Sequence, residues 1–413
     1  MHVLFVHQNF PAQFGHLASR LVKRHGFRCT FVSERPAGKV DGVRLIQYKV
    51  KGRATKRSHP CSRTFENCTW HAHAVYTALK AHPEITPDLI VGHSGFGSTL
   101  FLADLYGCPI INYFEYYYRS RDSDLDFRPD QPVLQRDVLR VRARNAMILC
   151  DLQTCTAGYS PTEWQRSLFP QEYQSKIRTI FDGIDREFWY RRKVPRFIGD
   201  REIPAGTRIV TYVSRGFESM RGFDIFMRVA KRICAERKDV IFVVVGSDRV
   251  CYGDDLRRCK AKSFLKHVLA QDKYDLKRFI FTGPILESQL VELFSLSDLH
   301  FYLTVPFVLS WSLMNALAVG CTVLASDTAP VREVIRHGHN GLLAGFFDVD
   351  EFTRQALRVL DAPAEFRPLG RAGTRLIDKK YSLAKTLPQM VKFFRETVAQ
   401  PSKRGQQKPA RQQ

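Results

Sequence analysis

Short apolar runs alternate with amphipathic segments along almost the whole chain, and this alternation constrains the fold more than any other feature. Residues 2–7 form an apolar run typical of a buried strand, and residues 14–25 carry apolar side chains at helical spacing. The same order starts afresh near residue 208. Strands that alternate with helices form parallel βαβ units. The sequence therefore predicts an α/β protein with two doubly wound, Rossmann-like domains.

The individual elements follow from the same pattern. In the first half it predicts strands at 2–7, 27–33, 88–93, 109–114 and 147–156, and helices at 14–25, 98–106 and 133–144. In the second half it predicts strands at 208–214, 240–246, 278–283, 299–303 and 321–325, and helices at 222–236, 287–295, 312–319 and 382–398. Polar, proline-bearing composition favours a linker at 188–206. The predicted domains are 1–187 and 207–380, followed by a helix at 381–399 and a disordered basic tail at 400–413.

Residues 301–326 contain no charged side chain, so a membrane span is the alternative to a buried segment. A spanning helix needs about 20 apolar residues. This stretch instead contains Pro306, Asn315 and Gly320, and it divides into strand, helix and strand. We therefore expect a buried segment, and we expect no signal peptide because the apolar run at the N-terminus is short.

The chain carries 63 Lys and Arg against 41 Asp and Glu, a formal charge of +22. Hydrophobic residues make up 44%, which excludes wholesale disorder. The basic residues cluster at 49–63, called the basic segment below, and in the helix at 133–144. Docking on an anionic membrane, nucleic-acid binding and a generally basic surface are the alternatives. No nucleic-acid-binding motif is present, so we expect no nucleic-acid partner. The residues predicted to face an acceptor or a membrane are Phe14, Lys51, Arg53, Lys56 and Arg57.

The ten cysteines are scattered, which is typical of a reduced cytoplasmic protein without a disulfide framework. Cys61, Cys68, His71 and His73 lie close in sequence, so a zinc site is the alternative to ordinary structural roles. No CxxC pair supports that alternative, and we expect no metal.

Nucleotide cofactors of the common classes are not indicated. No GxGxxG follows the first strand, and no GxxxxGK[ST] occurs. Residues 212–224 instead place Arg215, Gly216 and Arg221 between a strand and a helix. Arginine side chains and helix N-termini both favour phosphate oxygens. This segment predicts a phosphate-binding loop, and its alternative interpretation is a loop with two solvated arginines.

A second segment covers residues 306–320 and 325–335 and includes Ser310, Asn315 and Glu333. Small residues at the front of its helix allow a ligand to approach the backbone closely. The apolar half of the same helix equally suits a packed core.

Several motifs in this order resemble the retaining glycosyltransferases of family 4, which have the GT-B fold. Residues 6–18 match the VHQNFPxQFxHLA pattern of a bacterial subgroup. Further matches are residues 160–165, 182–185, 215–222 and 306–335, so the resemblance covers roughly residues 1–395.

The resemblance implies two Rossmann-like domains facing a cleft, with a C-terminal helix that crosses back. It implies a hexosyltransferase that moves a sugar from a nucleotide-sugar donor to a glycan or lipid-linked acceptor with retention, without metal or other cofactor. The N-terminal domain would bind the acceptor and the C-terminal domain the donor. Such enzymes build bacterial surface polysaccharide, so the expected location is cytoplasmic or peripheral on the inner face of the membrane.

The resemblance also implies roles for particular residues. Arg215 and Arg221 would neutralise the leaving diphosphate, and His93 would contact the sugar or the acceptor. His93 has a structural, hydrogen-bonded histidine as its alternative. The remaining donor-binding residues implied are Gly216, Ser310, Asn315 and Glu333. Glu333 has an alternative role at a helix N-terminus, where the helix dipole favours a carboxylate.

The chain departs from the family at two positions where a glutamate is usual, Phe307 and Asn315. Phe307 is shared by the subgroup, whereas Asn315 is unusual. An Asn lacks the charge and one acceptor of Glu, at an expected cost of about 1–3 kcal/mol in donor binding. Three alternatives follow from Asn315. The chain is a weaker enzyme, it uses a different donor, or it is a non-catalytic homologue that acts as a binding or scaffold partner.

Overall fold

The computed structural model describes residues 1–259 and 261–400, and these residues form two compact units. The first unit contains residues 1–182 with the described residues from Thr386 onward, and the second contains Gly183–Lys385. Each unit has its own parallel sheet with helices packed against it. The prediction of two Rossmann-like α/β domains is confirmed. The predicted tail beyond Gln400 lies outside the described residues.

The first unit has a seven-stranded sheet in the order β3-β2-β1-β4-β5-β6-β7, and all neighbouring strands are parallel. Its strands are β1 (His2–Val6), β2 (Arg28–Ser33), β3 (Val43–Gln47), β4 (Leu89–His93), β5 (Ile110–Tyr113), β6 (Ala157–Ser160) and β7 (Ile177–Thr179). Its helices are α1 (Gly15–His25), α2 (Arg63–Lys80), α3 (Gln135–Arg144), α4 (Ala146–Thr154), α5 (Glu163–Ser167) and α6 (Gln171–Gln174).

The second unit has a six-stranded parallel sheet in the order β12-β11-β10-β13-β14-β15 and a short hairpin of β8 and β9. Its strands are β8 (Phe197–Ile198), β9 (Arg201–Glu202), β10 (Arg208–Gly216), β11 (Val240–Ser247), β12 (Phe279–Gly283), β13 (Leu299–Tyr302), β14 (Val323–Ser326) and β15 (Leu342–Ala344). Its helices are α7 (Phe223–Glu236), α8 (Asp255–Arg258), α9 (Phe264–Gln271), α10 (Glu287–Leu296), α11 (Trp311–Val319), α12 (Ala329–Arg332), α13 (Val349–Asp361) and α14 (Pro363–Leu376).

A last helix, α15 (Leu383–Ala399), brings the chain back to the first unit. Its Leu387, Phe393 and Phe394 pack in the hydrophobic core that covers one face of the first sheet, together with α1. The other face is covered by α2 and α4. Because successive residues of a strand point to opposite faces, Val3 and Phe5 of β1 join the first core and its Leu4 and Val6 the second.

The uncharged stretch at 301–326 forms β13, α11 and β14, as predicted. Both strands and nearly all residues of the helix are buried. Among the described residues, no helix combines the length and the apolar character that crossing a membrane requires.

Two local predictions in the first half were wrong, and some elements there were not predicted. Residues 98–106 form successive turns rather than a helix, with i→i+3 backbone hydrogen bonds such as Leu102 N–H to the oxygen of Thr99. Residues 147–154 belong to α4, and the strand that follows is β6. An apolar run of this length does not distinguish a buried strand from a buried helix. Strand β3 and the long helix α2 were not predicted.

Candidate active site

His93 ends β4 at the carboxyl edge of the first sheet, and only 6% of its surface is exposed. The side-chain nitrogen of Gln13 lies 3.2 Å from its Nδ1. An amide nitrogen can only donate, so Nδ1 accepts and the ring hydrogen sits on Nε2. Burial, followed by the nearby His7, lowers the pKa of His93 well below its usual value. His93 is therefore a neutral hydrogen-bond donor through Nε2, which lies 3.6 Å from Oε2 of Glu115.

A cavity of about 240 Å³ lies beside His93 and is lined by residues of the first unit alone. Its polar groups include Asn67 and His71 of α2, Glu115 and Arg144, and its aromatic rings include Phe96 and Tyr118. The guanidinium carbon of Arg144 lies 3.7 Å from the centre of the Tyr118 ring. Aromatic walls with a few convergent polar groups are typical of ligand sites, and the carboxyl edge of a parallel sheet is their usual place.

The buried carboxyl group of Asp151 holds the turn that follows His93. Its Oδ2 accepts hydrogen bonds of 2.9 Å from the hydroxyl of Ser94 and from the backbone N–H of Gly95. Burial raises the pKa of Asp151 to about 6, although these hydrogen bonds favour the ionised form. Because Ser94, Gly95 and Phe96 line the cavity, Asp151 on α4 determines the shape of one wall.

In the second unit, Arg221 is a buried cation without a carboxylate partner. Only 5% of its surface is exposed. Its Nη1 donates to the side-chain oxygen of Thr304 at 2.8 Å and to the backbone oxygen of Val308 at 3.0 Å. The rings of Tyr252 and Phe307 lie 5.4 and 5.6 Å from its guanidinium carbon. No carboxylate among the described residues forms an ion pair with Arg221.

Arg215 and Gly216 are the last two residues of β10. Arg215 is exposed. A side chain at Gly216 would place its Cβ 2.3 Å from the backbone oxygen of Arg249, so only glycine permits this approach. Gly222 has a φ of +61°, and a Cβ there would lie 2.7 Å from Leu303. The loop at 215–222 is therefore packed closely against the loops that follow β11 and β13.

Glu218 is a fully buried carboxyl group that sequence reasoning missed. Its Oε2 accepts hydrogen bonds of 2.6 and 2.7 Å from the backbone N–H groups of Cys251 and Tyr252. Its Oε1 is buried and has no hydrogen-bond partner among the described residues. Burial raises the pKa of Glu218 to about 7. Glu218 thus fixes the segment that carries Tyr252 beside Arg221.

Ser310 and Asn315 belong to the start of α11. The Ser310 side chain accepts from the backbone N–H of Ser312 and caps the helix, while its own N–H donates to the hydroxyl of Tyr302. Asn315 is 6% exposed, and its buried Oδ1 has no hydrogen-bond partner in the part of the chain that the structure describes. The structure therefore brings Arg221, Tyr302 and Ser310 together and leaves Asn315 with an unused acceptor.

Glu333 lies at the C-terminal cap of α12 and is half-buried. The alternative role at a helix N-terminus is wrong, because α12 begins four residues earlier at Ala329. Its neighbour Arg332 forms an ion pair with Asp327 through two hydrogen bonds of 2.5 and 2.9 Å.

Of the residues predicted to face an acceptor or a membrane, Lys51, Arg53, Lys56 and Arg57 are exposed between β3 and α2. The prediction for Phe14 was wrong. Phe14 is 1% exposed, and its ring lies 5.5 Å from that of Phe5 in the core. A large apolar ring in the turn before α1 is more stable under the sheet than in water.

The described residues contain no group of three or more His, Cys, Asp or Glu side chains arranged to hold a metal ion. Cys61 and Cys68 are free thiols, and Cys68 donates to the backbone oxygen of Gly95. His71 lies 3.2 Å through Nδ1 from the hydroxyl of Tyr48. These contacts give structural roles to Cys68 and His71.

Known glycosyltransferases are similar to this chain in sequence and in fold. Residues 25–189 match the Glycosyl transferase family 4 group, and residues 194–375 match Glycosyl transferases group 1. Spore coat protein SA of Bacillus subtilis is 21% identical over 243 residues, which are 55% of this chain and 60% of that protein. The chain thus spans less than two thirds of that relative's length.

Two solved structures share the fold over nearly the whole chain. Sucrose-phosphate synthase of Thermosynechococcus elongatus has a TM-score of 0.75 and 17% identity, covering 96% of this chain and 99% of that one. HepE of Anabaena, in complex with UDP and glucose, has a TM-score of 0.65 and 13% identity, covering 96% and 100%. With the family matches over both units, the two parallel Rossmann-like sheets show that this chain belongs to the glycosyltransferases of GT-B fold.

Proposed function

We propose that this glycosyltransferase moves a sugar from a nucleotide-sugar donor to a glycan or lipid-linked acceptor with retention of the anomeric configuration. The second unit binds the donor and the first unit binds the acceptor. The enzyme works in bacterial surface polysaccharide synthesis, in the cytoplasm or at the inner face of the membrane, and needs no metal. The HepE structure supports the donor class because it holds UDP and glucose, and the spore coat relative supports a role in a surface structure.

The observation that carries this proposal is the unpaired cation at Arg221. A buried charge is costly unless a counter-charge or strong hydrogen bonds compensate it. The hydrogen-bond partners of Arg221 are neutral oxygens. Glu218 acts on it electrostatically without an ion pair, and burial raises the pKa of Glu218 to about 7, so a bound diphosphate would supply a counter-charge that Glu218 supplies only in part. Negative charge grows on the leaving diphosphate during transfer, and a preorganised guanidinium stabilises it. Exposed Arg215, at the rim of the same loop, adds a second cation.

On the acceptor side, His93 supplies a neutral donor rather than a general base. The Gln13 amide donates to Nδ1, the other ring nitrogen, and so keeps the ring hydrogen on Nε2. The role we propose for it is a hydrogen bond to a sugar hydroxyl or carbonyl oxygen. The unpartnered Oδ1 of Asn315 would accept a hydrogen bond from the donor ribose, in place of the usual glutamate.

Donor binding tests the proposal by thermal shift with UDP-, GDP- and ADP-sugars. A ligand at 100 times its Kd stabilises the folded protein by about 2.7 kcal/mol. We expect one nucleotide series to bind the wild type, Arg221→Lys to retain part of the shift, and Arg221→Met to lose it. Arg228→Met, which removes an exposed arginine of α7, is the matched control and keeps the full shift.

The product then establishes the reaction. We expect the anomeric configuration of the donor to be retained, as read by NMR, and the rate to be unchanged by EDTA. If no nucleotide-sugar binds the wild type and Asn315→Glu restores binding, the chain is instead a non-catalytic homologue that acts as a binding or scaffold partner.

A further inference from the structure

We propose that the basic segment and the cavity beside His93 form one acceptor site, which takes a sugar whose phosphate or diphosphate group lies at the cavity rim. This inference rests on the proposed function and names the chemical class of the acceptor. It assigns the basic segment to the acceptor's own phosphate rather than to the headgroups of a membrane.

The basic segment runs along the first turns of α2, in the opposite direction to the helix. A Cβ at Gly52 would lie 2.5 Å from the Trp70 ring, so the backbone there rests directly on that ring. Further along, the backbone N–H of Ala54 donates to Oδ1 of Asn67 at 2.8 Å. Arg63 then donates to the backbone oxygens of Ser58 and Lys56 at 3.1 and 3.0 Å. These contacts hold the segment in a defined place.

The same turns of α2 form a wall of the cavity. Thr64 and Asn67 both line it. Asn67 therefore joins the two features directly, since its side chain binds the basic segment and also borders the cavity. The backbone of the basic segment at Ala54 is therefore one hydrogen bond away from a residue of the cavity wall.

The charge of the segment has no internal counter-charge. Residues 49–63 contain six Lys and Arg and no Asp or Glu. Five of the six have exposed side chains without an ion pair to any described residue: Lys49, Lys51, Arg53, Lys56 and Arg57. Arginine and lysine in such a group bind phosphate oxygens through charge-assisted hydrogen bonds.

The interior of the cavity favours a neutral group instead. Glu115 and Arg144 both line it, so the charge of the carboxylate and that of the guanidinium offset each other and leave no surplus cation for a phosphate. Glu115, Asn67 and His71 offer hydrogen-bond partners for hydroxyl groups, while the exposed ring of Phe96 offers a flat apolar face. A sugar ring fits the interior, and its phosphate meets the cations outside.

Binding of acceptor analogues distinguishes an acceptor-phosphate site from the alternative, docking of the basic segment on membrane headgroups. The probes are short-chain alkyl diphosphate esters of glucose, galactose and N-acetylglucosamine, and the neutral alkyl glycosides of the same sugars. Binding is measured by calorimetry at 50 and 300 mM salt. The variant replaces Lys51, Arg53, Lys56 and Arg57 with alanine. The control replaces Arg367, Arg371, Arg375 and Lys379, four exposed cations of the second unit, so that the net charge changes equally.

We expect at least one diphosphate ester to bind wild type ten-fold or more tighter than its neutral glycoside. The basic-segment variant should lose at least ten-fold for that ester, less than two-fold for the glycoside, and nothing for UDP, GDP or ADP. The control variant should bind as wild type does. Glu115→Gln should weaken both the ester and the glycoside.

Three results would overturn the inference: equal binding of ester and glycoside, no binding of any ester, or a basic-segment variant that loses binding only to phosphatidylglycerol vesicles. The last result assigns the cations to the bilayer. Each of these leaves the proposed function standing if a nucleotide-sugar still binds and is transferred to a neutral acceptor.

Discussion

Glu218 is a single residue whose ionisation is coupled to the stability of the second unit. Burial raises its pKa from 4.5 to about 7. The folded protein then binds this proton more tightly than the unfolded chain does. The contribution of Glu218 to stability is therefore fully present below pH 4.5 and is lost as the pH rises through 7.

Glu218→Gln tests this coupling. We expect the stability of wild type, relative to the variant, to fall by on the order of 1–3 kcal/mol between pH 4.5 and 8, because only wild type releases the proton. Urea unfolding at several pH values measures the difference. Glu236→Gln, at an exposed position of α7, should show no such slope. A parallel pH profile for Glu218→Gln and wild type would contradict the coupling.

The same residue shows the limit of sequence reasoning at this scale. Residue type and spacing alone predict a phosphate-binding role for the arginines of the loop at 215–222. The role of Glu218 depends on the backbone N–H groups of Cys251 and Tyr252, 33 and 34 residues later. Phe14 was misassigned for a related reason, since its burial depends on Phe5 and Phe31, which lie on two strands.

At the scale of elements, α15 stabilises the first unit although it follows the second in sequence. Phe394 is completely buried in the core shared with α1. We expect Phe394→Ala to destabilise the first unit by about 3–5 kcal/mol, because it removes a large side chain from a packed core. Gln389→Ala, on the exposed side of the same helix, should change stability by less than about 0.5 kcal/mol.

Chemical denaturation with a probe in the first unit measures the effect. The result expected for α15 would be contradicted if both variants unfolded at the same denaturant concentration as wild type.

Helix α2 is one of the elements that the sequence did not predict, and it borders the cavity beside His93. A signal was present, because the buried residues Cys68, Ala72, Val75 and Leu79 recur at helical spacing. Two of them are small or weakly apolar, so the periodicity is shallow. The β13, α11 and β14 series was predicted correctly because strong apolar runs are interrupted by Pro306 and Gly320.

At the scale of the whole molecule, the charge of +22 divides among separate places. Arg215 and Arg221 belong to the donor site we propose, and the basic segment to the acceptor site. Helix α3 presents a third arrangement, with exposed Leu134 and Leu139 beside exposed Arg136 and Arg142. Apolar side chains among cations suit the surface of an anionic bilayer.

We expect the double substitution Leu139→Glu and Arg142→Glu to reduce binding to phosphatidylglycerol vesicles at least ten-fold in a sedimentation assay. Each added or reversed charge near the surface costs about 1 kcal/mol. Leu286→Glu, at the 70% exposed leucine before α10, should leave vesicle binding unchanged. Equal loss in both variants, or no binding by wild type, would remove the membrane role of α3.

The sequence alone determined the two Rossmann-like sheets and their order along the chain, and it predicts a phosphate-binding loop around Arg221. Hydrophobic periodicity is a local property of the sequence, so it predicts helices and strands without knowledge of distant contacts. Only the tertiary structure decided that Arg221 is buried without a carboxylate and that Glu218 reaches the next loop. It also placed Glu115 and Asn67, which binds the basic segment, on the wall of one cavity. These facts depend on parallel strands that bring the ends of separate segments to one edge, and no local pattern encodes which side chains meet there.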